Sequence, residues 1–392
     1  MTPRFKKWVG NVLRLVICVG ALWYVATGVT LDDRVLVAAG DRELIGTITN
    51  EDDLGVTILL ADRTTEVVAR SEISRDKNNA PRIDYGLRTA WGRSDKNLLL
   101  LSLVIFLPVP VFQGVRLRWM LRAQGIDVGV WENVKLAFAG NFLNFAAPLG
   151  STGGDVFKAY YVSLHTDRKT EAVTTIFLDR VVGLGTLILM VAVVASAAPG
   201  DSPLAEFRLY TLGFLAVGSA GAFAYLSPAL RSRFLPYKLL ERVPKIDHLR
   251  RIDKTTRTLA AHKGICLSAI LITAALQVVA MISYIIVAAA LGLDARLDNA
   301  LEFYAYFATG CVVQALPGPP QGLGTVELAY AIFFARYGSV SQIVCMALAV
   351  RIMVLTASLP GLLVTLTGAY KPRDMKATDR SADPICETLP KA

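Results

Sequence analysis

Two acidic residues and two arginines stand at matching intervals in parts of the chain where charge is otherwise rare. Asp155 follows Gly153 and Gly154 and precedes Arg180 by 25 residues; Glu327 follows Gly322 and Gly324 and precedes Arg351 by 24. Both arginines, and Asp179 beside the first, lie inside long apolar runs, where a charge is costly unless it is paired or hydrated. Two chemistries suit such residues. One is structural: a salt bridge from Asp155 or Asp179 to Arg180, and a second from Glu327 to Arg351. The other is functional: paired charges lining a polar path for an anionic head group. The two roles are compatible.

The neighbours of these four residues sharpen the choice. Lys158 lies one helical turn after Asp155, and Gly-rich backbone N–H groups opening a helix can hold a phosphate with such a counter-charge. A carboxylate at the same terminus opposes a phosphate. Asp155 therefore reads as an N-cap or first-turn acid, or as an arginine's partner, rather than as a ligand contact. Asn141 and Asn144 stand on the approach to the first turn as head-group candidates, with hydrogen bonding between helices as their plainer role. Gly153, Gly154, Gly322 and Gly324 join the candidates, and permit tight turns and close packing in either case.

Little else in the chain suggests catalysis. Four of the five cysteines (Cys18, Cys266, Cys311, Cys345) lie in apolar segments and the fifth, Cys386, near the C-terminus, with no C-x-x-C pair among them, as small hydrophobes would. His165, His248 and His262 fall in polar loops without a second ligand at helical spacing. The expectation is no catalytic set, no metal and no cofactor. Intramembrane carboxylates keep an enzymatic alternative open.

The elements that must position these residues are read from the apolar blocks. Of 392 residues 54% are hydrophobic and 19% charged, and the hydrophobic ones are gathered in blocks of span length. Blocks run over 9–29, 97–115, 172–198, 207–227, 264–291 and 340–368, each long enough to cross a bilayer core. Pro108 and Pro110 are expected to kink the second. The first, after Arg4, Lys6 and Lys7, reads as an uncleaved anchor, because small-x-small residues are missing where cleavage should fall. A net charge of +9 raises nucleic-acid binding. The basic residues sit in short loops between apolar blocks, which is how topology is encoded, so no nucleic-acid partner is expected.

Residues 31–95 break the membrane pattern. Short β-prone runs (RVLVA, IGTIT, VTILL, EVVAR) alternate with turn-rich, charged separators, which predicts a small antiparallel β module. Its 13 acidic residues against 9 basic ones set it apart from the other loops and leave room for a protein partner.

Loop charge gives the orientation. The connection 228–263 carries ten Lys/Arg against three Asp/Glu, Arg116, Arg118 and Arg122 mark the end of the second span, and basic residues open the tail. Positive-inside counting then puts both termini and this loop in the cytoplasm and the β insert outside. The loop is expected to lie on anionic lipid as a basic surface helix. Two shorter apolar regions, 134–165 and 301–338, are each interrupted by a Pro/Gly-rich centre and read as re-entrant hairpins entering from opposite sides. Pro148 and Pro317, Asp155 and Glu327, and Arg180 and Arg351 correspond at offsets of 169, 172 and 171 residues. That pattern predicts an inverted repeat, the architecture that sets a substrate site between broken helices near the midplane.

The stretches RLRWMLRAQG (116–125), NFLNFAAPLGSTGGDVFKAYY (141–161), LDRVVGL (178–184), LPGPPQGLGTVE (316–327) and the Arg351 span resemble the lysylphosphatidylglycerol synthase transmembrane-region family, whose flippase-like domain also occurs in the bacterial multiple peptide resistance factor. The resemblance covers most of 97–370. Lys158 stands where the family usually has Arg, Gln321 replaces one Gly of the second Gly-Gly, and the insert lies outside the common pattern. It implies handling of a lipid head group, by translocation between leaflets or in support of a lipid-linked pathway. It does not imply lysyl transfer, which belongs to a soluble domain of the two-domain relatives.

The resulting expectation is an all-α polytopic protein of the cell (inner) membrane with about six full spans and two broken-helix hairpins. Its parts are an anchor (1–30), the β insert (31–95), a transmembrane domain (96–370) and a disordered tail (371–392). Within the domain, repeats at about 131–227 and 264–370 flank the basic loop. The expected partners are membrane lipids, anionic ones foremost. Lipid translocation leads the functional readings; a membrane enzyme or accessory subunit, and a non-transporting scaffold, are the alternatives.

Overall fold

The computed structural model describes Trp23 and residues 27–367, apart from 39–41, 53, 61, 76–82, 147–151, 165, 199–203, 228–245 and 316–319. Most of the anchor, the tail, the first half of the basic loop and the centres of both expected hairpins therefore lie outside the described residues.

The chain opens with an antiparallel sheet of β1 (Asp33–Val37), β2 (Arg42–Glu51), β3 (Gly55–Leu60), β4 (Thr65–Ala69) and β5 (Ile83–Asp84), in the order β4-β3-β2-β1-β5. Alternating positions, among them Val35, Leu44, Ile48, Val56, Ile58 and Val68, turn inward to form its core, as the two-residue period of a strand requires. Short acidic turns join the strands. Asp52 Oδ1 accepts Leu54 N at 3.0 Å and Gly55 N at 2.9 Å, and Asp62 Oδ1 accepts Thr64 N at 2.9 Å. The hydroxyl and backbone N–H of Thr64 hold the Asp62 carboxyl below its ordinary range.

Among the described residues thirteen elements follow: α1 (Leu87–Gly92), α2 (Lys96–Phe106), α3 (Pro108–Arg122), α4 (Val130–Ala146), α5 (Gly153–Ser163), α6 (Lys169–Ala197), α7 (Leu204–Leu226), α8 (Ile246–Ala261), α9 (Lys263–Ala290), α10 (Ala300–Ala315), a single 3-10 turn (Pro320–Gly322), α11 (Thr325–Phe333) and α12 (Val340–Thr367). Among the described residues five helices are long and apolar enough to cross a membrane: Lys96–Arg122, Lys169–Ala197, Arg208–Leu226, Lys263–Ala290 and Val340–Thr367. α9 shows why. Its 28 residues carry no charge after Lys263, and at about 1.5 Å per residue they reach across a hydrocarbon core. Within the second span α2 ends and α3 begins on either side of Leu107, next to Pro108. Leu107 keeps right-handed helical angles (φ −52°, ψ −36°), and Pro108 opens α3 at a position where its missing N–H costs nothing.

Among the described residues packing divides into two large helical cores and a small one, the last around Met120, Leu259 and Ala269 of α3, α8 and α9. The largest joins α2, α6, α9, α10, α11 and α12; the second joins α3, α4, α5 and the start of α6 around Leu117, Leu121, Leu136 and Ile176. Rings tie α10 to α11 and the turn after it, with the Phe334 ring tilted against those of Phe303 and Phe307, each at 5.0 Å between centroids. Such pairs add about 0.5–1.5 kcal/mol each beyond area burial. The outward faces carry the opposite composition. Leu209, Tyr210, Phe214, Val217 and Phe223 of α7 are all exposed, an apolar surface suited to lipid tails rather than water.

The sheet is pinned to the helices by Asp33, which is fully buried. Its carboxylate accepts Ile48 N, Gly86 N and the Thr89 hydroxyl, each at 2.7 Å. Ser339 Oγ donates to Tyr85 O at 2.9 Å and Thr30 N donates to Ser341 Oγ at 2.9 Å, tying both ends of the sheet segment to the start of α12.

Candidate functional site

Close backbone contacts bring the broken helix pairs together. A Cβ at Gly154 would stand 2.0 Å from Gly140 O, so the start of α5 packs directly on α4, and Gly154 N donates to Asn144 Oδ1 at 2.8 Å. A Cβ at Gly361 would stand 2.2 Å from Phe138 O, so α12 also lies against the α4 backbone. The second pair is joined by a turn in which Gln321 (φ 53°), Gly322 (φ 65°) and Gly324 (φ 83°) are all left-handed. Glycine adopts that region freely and Gln321 does not, at roughly 1–2 kcal/mol.

Among the described residues three ion pairs engage Arg116, Arg180 and Arg351, each set inside a membrane-length helix. Asp155 accepts Arg180 Nη1 at 2.6 Å and has Lys158 Nζ at 3.5 Å, and Arg180 Nη2 donates to Ala315 O at 3.3 Å. Glu327 takes Arg351 side-on, Nε at 2.6 Å and Nη2 at 3.1 Å, while its Oε2 accepts Gly324 N at 2.8 Å and Arg351 Nη1 donates to Gln321 O at 3.0 Å. The third pair corrects the sequence reading. Arg116, counted there as the marker of a cytoplasmic helix end, is buried inside the bundle. Its Nε and Nη2 bind Asp179 at 2.8 and 2.9 Å, and its Nη1 binds the Thr273 hydroxyl at 2.7 Å, joining α3, α6 and α9. Asp179 therefore serves Arg116, and Asp155 serves Arg180.

A cavity of about 200 Å³ opens between the two broken pairs. Of the residues singled out in the sequence, Asn141, Asn144 and Arg351 line it; Gly153, Gly154, Asp155, Lys158, Asp179, Arg180, Gly322, Gly324 and Glu327 do not. Sequence reasoning passed over Gln113, Gln314, Tyr284 and Tyr330 in its wall, and treated Gln321 only as a departure from pattern. Gly310 makes room there: a Cβ on it would stand 2.1 Å from the Tyr330 ring. The one legible signal was that amide side chains recur at the broken ends of otherwise apolar helices. Among the described residues no group of three or more His, Cys, Asp or Glu side chains gathers as metal ligands would.

Helices of membrane-crossing length, lipid-suited outer faces and ion pairs sequestered between helices define a multi-pass membrane protein. Its sequence matches the lysylphosphatidylglycerol synthase TM region over residues 86–361, and the chain belongs to that family. The match takes in every described helix from α1 to α11 and α12 as far as Gly361, and leaves out the five-stranded sheet. No curated protein matches the chain.

Proposed function

We propose that this protein translocates, or otherwise handles, a membrane lipid with an anionic or lipid-linked head group, in the manner of a flippase. The observation that carries the reading is the polar cavity walled by α4 of the first broken pair and by both helices of the second, and flanked by ion pairs. Broken helices meeting at a polar site are how many transporters bind a head group inside the bilayer. The Asp155, Arg180 and Lys158 cluster holds two cations against one carboxylate, which favours an anionic group. On this reading the two pairs are re-entrant hairpins of an inverted repeat in the cell membrane, with both termini and the basic loop cytoplasmic. Amphipathic α8, with Arg250, Arg251, Lys254 and Arg257 in sequence, then meets the anionic leaflet.

Reconstitution tests it. Liposomes carrying the purified chain and a trace of fluorescent phosphatidylglycerol are treated with dithionite, which bleaches only the outer leaflet. The expected result is bleaching well beyond the half that empty liposomes lose, abolished by Glu327→Gln. A panel of lipids that all stop at the empty-liposome value refutes transport.

A further inference from the structure

We infer that the cavity between the broken helix pairs is a site for a polyhydroxylated ring, such as a sugar or inositol head group. The inference rests on the lipid-handling reading above and goes beyond it by giving the chemistry of the group held. Five primary carboxamides line this one cavity: Gln113, Asn141, Asn144, Gln314 and Gln321. Each uses one amide atom on the protein. Asn141 Nδ2 donates to Gln113 Oε1 at 3.0 Å, Gln314 Nε2 donates to Gln321 Oε1, and Asn144 Oδ1 accepts Gly154 N at 2.8 Å. The other amide atom of each has no protein partner among the described residues.

What remains is a mixed set. Three NH2 groups (Gln113, Asn144, Gln321) and two carbonyl oxygens (Asn141, Gln314) are uncommitted. Turning both members of either side-chain pair around exchanges the atoms and still leaves one donor and one acceptor, and Asn144 is fixed by a backbone N–H. A hydroxyl both donates and accepts, so a ring bearing several hydroxyls satisfies such a set. A phosphate only accepts, and would face two carbonyl oxygens with nothing to offer them. Charge points the same way. Arg351, the one cation among the described lining residues, is already neutralised side-on by Glu327, so an anion would find no spare charge there. Tyr284 and Tyr330 add flat apolar walls, of the kind that complements the C–H face of a ring while a few polar groups fix its orientation. At about 200 Å³ the space suits one ring and not a whole lipid. A phosphate joining that ring to its lipid has its counter-charge next door, at Asp155, Arg180 and Lys158, one residue on from the Gly154 that holds Asn144.

The test is equilibrium binding to the purified full chain in detergent, using lipids with matched acyl chains. Phosphatidylinositol is compared with phosphatidic acid, which keeps the phosphate and lacks the ring, and glucosyl-diacylglycerol with diacylglycerol. Each ring-bearing lipid should bind at least about tenfold more tightly than its ringless partner, the worth of one or two net hydrogen bonds. Asn141→Ala and Gln314→Ala should remove most of that preference and leave phosphatidic acid binding within about twofold. Gln321→Gly, which relieves a left-handed residue and should fold at least as readily, provides the third variant. Equal binding of ring-bearing and ringless lipids overturns the inference, as does equal weakening of both by the amide variants. Displacement of the lipids by free inositol or glucose at millimolar concentration supports the ring site and assigns it to a soluble polyol. Ring-selective binding without dithionite-accessible flipping upholds this inference and refutes transport; flipping of phosphatidylglycerol without ring preference does the reverse.

Discussion

Glu327→Gln should rank among the most damaging single changes in the chain. The Glu327 side chain is 4% exposed and that of Arg351 16%. The carboxylate accepts three hydrogen bonds, two from Arg351 at 2.6 and 3.1 Å and one from Gly324 N at 2.8 Å. A glutamine keeps one acceptor oxygen and turns an NH2 toward groups that are themselves donors. Arg351 then keeps its charge and loses its counter-charge, and breaking a buried pair in this way costs about 3–5 kcal/mol. Against a total stability of about 5–15 kcal/mol that is a large share. Arg351→Met should cost a similar amount for the converse reason, because the carboxylate is left with Gly324 N–H alone.

The double variant has neither charge. Its loss should fall short of the summed singles by about 1–3 kcal/mol. The assay is equilibrium unfolding of the purified protein in mixed detergent micelles with rising SDS, read by tryptophan fluorescence. Arg296→Ala serves as control, since the Arg296–Asp294 pair is 70% and 58% exposed and pairs of that kind contribute about 0–1 kcal/mol. Singles that add to within about 0.5 kcal/mol would show that the two residues are not coupled, and the argument from buried charge would be wrong.

Three further outcomes follow from the geometry. Asp155 faces two cations, so Asp155→Asn should destabilise by more than Arg180→Gln, which leaves the carboxylate its Lys158 contact at 3.5 Å; the same SDS titration checks the order, and the reverse ranking removes Lys158 from the cluster. Asp33→Ala leaves two backbone N–H groups and a hydroxyl without their shared acceptor, at a cost of about 3 kcal/mol or more, and should speed protease cleavage within 31–85 well ahead of the helices. Burial, then the hydrogen bond and charge of Glu51, push the Tyr85 phenol well above its usual value. Its contribution to stability is thus complete below about pH 10 and declines as pH rises from there toward the folded-state value, because the unfolded chain ionises first. The tyrosinate absorbance of wild type minus Tyr85→Phe should stay near zero at about pH 11, and a full tyrosine's worth of signal there refutes the assignment.

The parts of this architecture that were legible in the sequence are those set by short-range pattern. Strands 33–69 announced themselves through β-prone runs between acidic turns, and the long spans through uninterrupted apolar length. The partners of Arg180 and Arg351 were legible because a charge in an apolar helix must find one, and each arginine has an acid beside a Gly-rich turn at nearly the same distance. Arg116 was not. In RLRWMLR it looks like any of three arginines ending a span, and only the approach of α6 and α9, which supply Asp179 and Thr273, takes it out of water. A clue was present: Asp155 and Asp179 are two acids for one arginine, so a second cation had to come from elsewhere. The cavity was hidden for a related reason. Gln113, Asn141 and Gln314 are separated by up to two hundred residues, and nothing local relates one amide to another.

Both arginines converge on the same break. Arg180, from the first half, donates to Ala315 O at the last residue of α10; Arg351, from the second half, donates to Gln321 O in the turn that leads into α11. The final carbonyls of a helix lack intrahelical partners and carry its negative dipole end, so a guanidinium is well suited to hold Ala315. The strained Gln321 backbone is held from the other side, and its side chain is bonded to Gln314 on α10. The two margins of the break in the second pair are thus fastened, Ala315 through Asp155 and Arg180 and Gln321 through Glu327 and Arg351, with the carboxamide cavity beside them. A group that enters the cavity and takes up the free amide atoms of Gln314 and Gln321 acts on the segment that both ion pairs hold. That places the charges where they steady the binding surface rather than compete for its ligand, which is why both carboxylates stay with their arginines while the neutral amides face the open space.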